Sequence, residues 1–238
     1  MSSPAEARFH PARLVSLESV GGGLSHLRID PGRVVAATYV SPGQYVEVRV
    51  EGETGYFVLA NEPGGAMWDL VMKSGGGASD VLLRMSAGGA LEVTRAIGAG
   101  FPMARVVGHP LLVVLGGTGL AAGRPILRHR LRDGDASRTA LFIALRKREE
   151  SAFEADLDAW AEAGVTVVVC LSQGVAGDAG GRVVLGRIPD VLHAYAASHP
   201  GTFASAVVFS VGTASLVETL REAAPSLGLR PEDVLTNH

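Results

Sequence analysis

The stretch that most constrains this chain is Leu111-Leu112-Val113-Val114-Leu115, which runs directly into Gly116-Gly117-Thr118-Gly119-Leu120-Ala121-Ala122. Five consecutive apolar residues closed by a glycine turn read as a strand buried on both faces, the condition of a central strand in a parallel sheet. The glycines satisfy the G-x-G-x-x-A form of the dinucleotide fingerprint and stand where it requires, between a strand and a helix. Glycine lets the backbone approach a pyrophosphate, and the N–H groups at the helix start point at the anion. A glycine turn that serves only strand–helix packing is spelled the same way, so the motif alone leaves both readings open.

The sequence around this stretch has two rhythms. Beyond Gly108, strand and helix signals alternate: a helix over 121–132, a strand over Thr139 to Leu145, a helix over Glu149 to Ala163, and a strand over Val165 to Leu171. A helix over Val184 to Ala197, a strand over Ala206 to Val211 and a helix over Ala214 to Ala224 follow. That alternation predicts a doubly wound α/β domain. Before Arg105 the runs are short and separated by Gly and Pro, at Arg13 to Val20, Gln44 to Val50, Tyr56 to Ala60 and Leu70 to Lys73. In Tyr45-Val46-Glu47-Val48-Arg49-Val50 the three valines fall on one face, the period of a half-buried strand. Turns such as Asp30-Pro31-Gly32 and Ser41-Pro42-Gly43 complete the signature of an antiparallel barrel or sandwich. The boundary is expected near 101–109, giving units 1–105 and 106–238.

Composition removes several function classes. A formal net charge of -3 gives no reason to expect nucleic acid as partner. The single cysteine, Cys170, excludes an intrachain disulfide and a four-thiolate iron–sulfur cluster held by this chain. Its place in an apolar run predicts a buried strand residue rather than a reactive thiol. No closely spaced pair occurs among the seven histidines, so zinc has little support. Val208 stands where a G-x-S-x-G elbow around Ser210 would need glycine. No apolar run approaches the roughly 18–20 residues that span a bilayer, and the first residues lack the apolar core of a signal peptide. The expectation is a cytoplasmic protein without a membrane span.

Other features bear on the α/β half. The second strand ends in Arg146-Lys147-Arg148, either a phosphate-binding cluster or a solvated helix start. The last strand ends in a second glycine turn, Ser210-Val211-Gly212-Thr213. Arg124, Arg128, Arg130 and Arg132 make one end of a helix basic, either as a solvated face or as a surface for an acidic electron carrier.

In order along the chain, these motifs resemble those of the ferredoxin–NADP reductase-like superfamily, over about residues 11 to 238. Ser41-Pro42-Gly43-Gln44-Tyr45 looks like its PGQY strand, and Tyr56-Phe57-Val58-Leu59-Ala60-Asn61 falls at its flavin strand, R-x-Y-S/T. Gly76-Gly77-Ala78-Ser79 is similar to its G-x-x-S helix start, Gly116 to Gly119 to its GGTG loop, and Ser210-Val211-Gly212 to its C-G-P turn. The resemblance implies an N-terminal antiparallel FAD-binding β-barrel followed by a C-terminal doubly wound parallel-sheet NAD(P)-binding domain. It implies hydride transfer from NADH or NADPH to bound FAD, then electron release to an acceptor such as a ferredoxin-like protein. Tyr56, Phe57, Val58, Leu59, Ala60, Asn61, Val71, Met72 and Lys73 would surround the flavin ring and ribityl chain, and Gly76, Gly77, Ala78 and Ser79 would receive the FAD diphosphate. Gly117, Thr118, Gly119, Leu120, Gly212, Thr213 and Ala214 would take the nicotinamide nucleotide, with Arg146, Ser172 and Gln173 at its adenosine end. Ser210, in place of the turn's cysteine, would stand near the nicotinamide, and His238 would replace the terminal aromatic residue over the flavin.

The sequence departs from the pattern at the flavin strand, where Gly55, Phe57 and Val58 stand for arginine, tyrosine and serine. A phosphate-binding cation and two hydrogen-bonding side chains are thereby missing. Two alternatives follow: a non-catalytic flavin- or nucleotide-binding subunit of a redox complex, and a reductase that uses free flavin as substrate.

Overall fold

The computed structural model describes residues 8–174, 181–199, 201–203 and 205–236. The first half builds one antiparallel sheet from β1 (His10–Ser19), β2 (Ser25–Asp30), β3 (Tyr45–Val50), β4 (Glu53–Val58), β5 (Trp68–Met72) and β6 (Ala90–Val93). Short helices α1 (Arg33–Ala36) and α2 (Ala78–Leu82) interrupt them. The strand order is β4-β3-β6-β1-β2-β5. Among the described residues, the two edges pair where Leu59 bridges Leu70 and the Ala60 N–H donates to the Asp69 carbonyl at 2.8 Å. The result is a barrel-like sheet pinned at one corner rather than laddered shut. Val46, Val48 and Val50 point into its core with Leu27, Ile29, Trp68 and Leu70, as the alternation predicts.

The second half is a sheet of β7 (Leu111–Gly116), β8 (Thr139–Leu145), β9 (Thr166–Leu171), β10 (Val183–Leu185), β11 (Val207–Val211) and β12 (Val234–Leu235). Their order is β10-β9-β8-β7-β11-β12, and every pair is parallel. Helices α3 (Leu120–Arg132) and α4 (Glu154–Glu162) cover one face, with Ile126, Leu127, Leu157 and Trp160 on Val113, Leu141 and Val169. Helices α5 (Ile188–Ser198) and α6 (Ala214–Ala223) cover the other, with Leu192 and Leu220 on Val114, Phe142 and Val208. Burial on both faces is why these strands read as unbroken apolar runs.

The structure corrects three readings. The helix expected from Glu149 begins at Glu154, because Gly21 bridges Ala152 and the Phe153 N–H donates to the Val20 carbonyl at 2.9 Å. These contacts hold 151–153 out of helical geometry and fasten the β1–β2 turn to the α/β half. The helix expected from Val184 begins at Ile188, because Val183 to Leu185 pair with β9. Half of the basic end of α3 is not a solvated face, since Arg124 and Arg130 are buried while Arg132 stays exposed and Arg128 half-buried. Arg130 is 1% exposed and donates to the Val106 and His109 carbonyls, Thr139 Oγ1 and Asp135. Arg124, also buried, lies 4.2 Å over the Phe153 ring and 2.8 Å from Asp156, while Arg132 pairs with Glu62 of the barrel. Strands β2, β6, β10 and β12 were not among those expected.

Candidate functional site

In the parallel sheet, β7 connects onward to β8 on one side and lies beside β11 on the other. The strand order reverses between them, and a crevice opens at their carboxyl ends, where such sheets bind ligands. The two glycine turns meet there. A side chain at Gly119 would lie 2.6 Å from the Val211 carbonyl oxygen, so only glycine lets the loop close on β11. Gly117 has φ +57° and open space where a Cβ would stand. Thr213 caps α6, its Oγ1 accepting from the Leu216 N–H at 3.4 Å. Helix α3 starts with no acidic residue in its first turn and no side-chain cap, which leaves the positive end of its dipole uncompensated by a side chain.

The crevice belongs to a cleft of about 1030 Å³ between the two halves. The barrel contributes Gly22, Gly23, Leu24, Val58 and Lys73; the α/β half contributes Gly116 to Gly119, Val211 to Thr213, Arg146 and Ser172. Single-ligand pockets hold about 300–1000 Å³, so this cleft stands at the upper end of that range. Cys170 lies in the floor, 1% exposed, its thiol pushed up to about 12 by burial, as befits an inert strand residue.

The expected site residues divide sharply. Gly117, Thr118, Gly119, Gly212 and Thr213 come together on the cleft, joined by Arg146 and Ser172 at its far end. Arg146 is already engaged by Glu150 at 2.7 Å. Gln173 lies outside the lining, held by its N–H on the Arg146 carbonyl, and the side chain of Leu120 is core. Ala214 stands one residue inside α6, beyond the lining.

On the barrel side, Val58 and Lys73 alone of the nine ring-contact candidates reach the cleft. Leu59 and Met72 are barrel core, and Ala60 and Val71 pack with Leu24, Ala121 and Ala152 in the seam between the halves. Asn61 is consumed by its own turn, its amide oxygen accepting from the Asp69 N–H at 2.8 Å. Tyr56 is exposed on the outer face, edge-on to Tyr45. Phe57 turns back over Gly55 toward α2, where a Cβ at Gly55 would lie 3.0 Å from the ring and 3.3 Å from Ala78 Cβ. Gly76 and Gly77, with Ala78 and Ser79 at the start of α2, lie outside the cleft lining.

Ser210 is corrected: it is 1% exposed inside β11 and does not line the cleft, whereas its neighbour Val211 does. Strand alternation decides this, because adjacent side chains face opposite sides of the sheet. His238 lies outside the described residues. Residues that the sequence reading missed include Gly22 and Gly23, whose signal is a run of three glycines, and Arg187. Arg187 lines the cleft immediately before α5, and its signal is Pro189 in the first turn of that helix. Among the described residues, no cluster of His, Cys, Asp and Glu forms a metal site, and no helix is long and apolar enough to cross a membrane.

No family model matches the sequence, and no curated protein matches it either. Solved structures do match its fold. A cytochrome P450 reductase of Amycolatopsis, GcoB, superposes with a TM-score of 0.78 at 20% identity, over 99% of this chain and 71% of that one. The flavohem-like FAD/NAD-binding domain of a nitric oxide dioxygenase from Vibrio cholerae gives 0.80 at 16% identity, over 96% of this chain and 98% of that one. A ferredoxin NADP+ reductase from Neisseria gonorrhoeae, solved with FAD and NADP, gives 0.79 at 18% identity, over 97% of this chain and 98% of that one. The barrel-like sheet, the all-parallel sheet and these superpositions together establish that this chain has the two-domain ferredoxin–NADP reductase-like fold.

Proposed function

We propose that this protein is an NAD(P)H-dependent flavin oxidoreductase. Residues 1–105 form its flavin-binding unit and residues 106–238 its nicotinamide-nucleotide unit. The observation that carries the reading is the meeting of two glycine turns at the switch point of a parallel sheet, facing a barrel wall across a cleft of about 1030 Å³.

The nucleotide end fits its ligand. The loop Gly117 to Gly119 and the uncapped start of α3 receive the diphosphate. Gly212 lets the nicotinamide approach the carboxyl end of β11, where a side chain at this position would meet Leu216 at 2.8 Å. Ser172, Arg187 and Arg146 surround the adenosine end.

The flavin end fits in part. Val58 and Leu24 offer an apolar wall for a ring, and Lys73 gives that wall a positive charge. A flavin held there would supply the hydride-accepting and electron-passing chemistry of the reaction. The protein's part is to stack the two rings and exclude water between them. The loop at Gly76 to Ser79 does not fit the diphosphate of FAD, because the Asp80 carboxylate already takes the Ser74 and Gly75 donors. The electron acceptor is an added small molecule or a partner protein.

The test is anaerobic mixing of the purified protein, FAD or FMN, and NADH or NADPH, followed by absorbance. Bleaching of the flavin band, faster than in the absence of protein and saturable in nucleotide, is the expected result. No acceleration with either nucleotide and any flavin removes the reading.

A further inference from the structure

The barrel's glycine loop already holds an anion of its own. The Asp80 carboxylate, in the first turn of α2, accepts from Ser74 Oγ–H at 2.8 Å and from the Gly75 N–H at 3.1 Å. These donors and the Gly76 N–H hold its carboxyl below the ordinary range. The Ser79 hydroxyl is turned inward onto the Gly76 carbonyl at 2.8 Å. A second carboxylate closes the other side: Glu53 Oε2 lies 3.4 Å from where a Cβ on Gly77 would stand. No lysine or arginine among the described residues is hydrogen-bonded or ion-paired to Ser74 to Ser79, and Arg84, further along the chain, acts on Asp80 through space. At the strand, the place of a phosphate-binding arginine is filled as well as vacated. The Phe57 ring covers Gly55 and meets Ala78.

A diphosphate brought to this loop would meet two carboxylates and displace one of them from its donors. The ring wall at Leu24, Val58 and Lys73 has no such conflict. We infer that the flavin is an exchangeable substrate, recognised by its isoalloxazine and ribityl end, and that the loop rejects the diphosphate by which FAD would be anchored. The inference rests on the reductase reading and names its substrate class: riboflavin, FMN and FAD alike. NAD(P)H gives a hydride to the flavin ring, a solvent proton completes the reduced flavin, and NAD(P)+ and reduced flavin both leave.

The experiment is titration of the desalted full chain with riboflavin, FMN and FAD, followed by quenching of flavin fluorescence. The three dissociation constants are expected within about threefold of one another, with riboflavin no weaker than FAD, because the diphosphate adds no net attraction. FAD bound about a hundredfold tighter than riboflavin, or retained stoichiometrically through desalting, overturns the inference and leaves the reductase intact. No binding of any flavin overturns both. In the double variant Glu53→Gln, Asp80→Asn, the FAD/riboflavin affinity ratio should rise by about tenfold as the like charges are removed. Riboflavin affinity in that variant reports that the barrel is folded, and an unchanged ratio in a folded variant also overturns the inference.

Discussion

Two glycine loops in this molecule stand at the same kind of place, after a strand and before a helix, and they have opposite chemistry. Ser74 to Gly77 leads into α2, whose first turn brings back Asp80 to take the loop's hydroxyl and N–H donors. Gly116 to Gly119 leads into α3, whose first turn brings back nothing acidic and no capping side chain. Helix length adds to the contrast, five residues against thirteen, since short helices sum few peptide dipoles. Glycine therefore makes an anion site accessible without making it available. Availability depends on what the first turn of the next helix returns to the loop.

The largest effect should come from closing the available loop. Gly119→Val places a side chain against the Val211 carbonyl, a backbone group that cannot move without unpairing β11 from β7. Overpacking of this kind costs about 2–3 kcal/mol. Thermal unfolding should fall accordingly, and nucleotide-dependent flavin reduction should vanish. Near-normal activity in this variant would mean that the nucleotide does not use the switch point.

A milder pair makes the α/β loop imitate the barrel loop. At Gly117 the positive φ admits asparagine or aspartate at a cost of about 1 kcal/mol. Gly117→Asn and Gly117→Asp should therefore unfold at similar temperatures. The aspartate variant alone adds a carboxylate at the proposed diphosphate site, and its KM for the nucleotide should exceed the asparagine variant's by about tenfold. Equal KM values would separate the loop from the diphosphate.

The fold was largely legible because its strongest signals are local. Leu111 to Leu115 declares a doubly buried strand, and Val46, Val48 and Val50 declare a half-buried one. What escaped was decided by distant partners. Val183 to Leu185 has the spelling of a helix start and became a strand only by pairing with Val169 to Leu171. Ser151 to Phe153 left the helix because the Val20–Gly21 turn arrives from the other half. Ser25 to Asp30 does carry a readable alternation in Leu27 and Ile29. The site was legible in its glycines and not in its charges. Asp80 on Gly75 and the carbonyls around Arg130 are pairings between side chains and loops that no spacing rule reveals, whereas Glu150 on Arg146 has the readable i,i+4 spacing. Ser210 was misplaced by a single residue, which in a strand is enough to turn a side chain away from the cleft.

The same lesson about returned charge sets the smallest expected effect, at the adenosine end. Of the cations there, Arg146 is neutralised by Glu150, whereas Arg187 lines the cleft without an ion pair or side-chain hydrogen bond among the described residues. An uncommitted guanidinium beside Ser172 is the feature that can tell a 2′-phosphate from a 2′-hydroxyl. Arg187→Ala should raise the KM for NADPH by about fivefold while changing that for NADH less than about twofold. Glu150→Gln should act in the opposite sense and lower the KM for NADPH, because it releases Arg146. An Arg187→Ala effect equal for both nucleotides would place the arginine on the shared diphosphate, and the distinction between the two nucleotides would then rest on Ser172 and Arg146 alone.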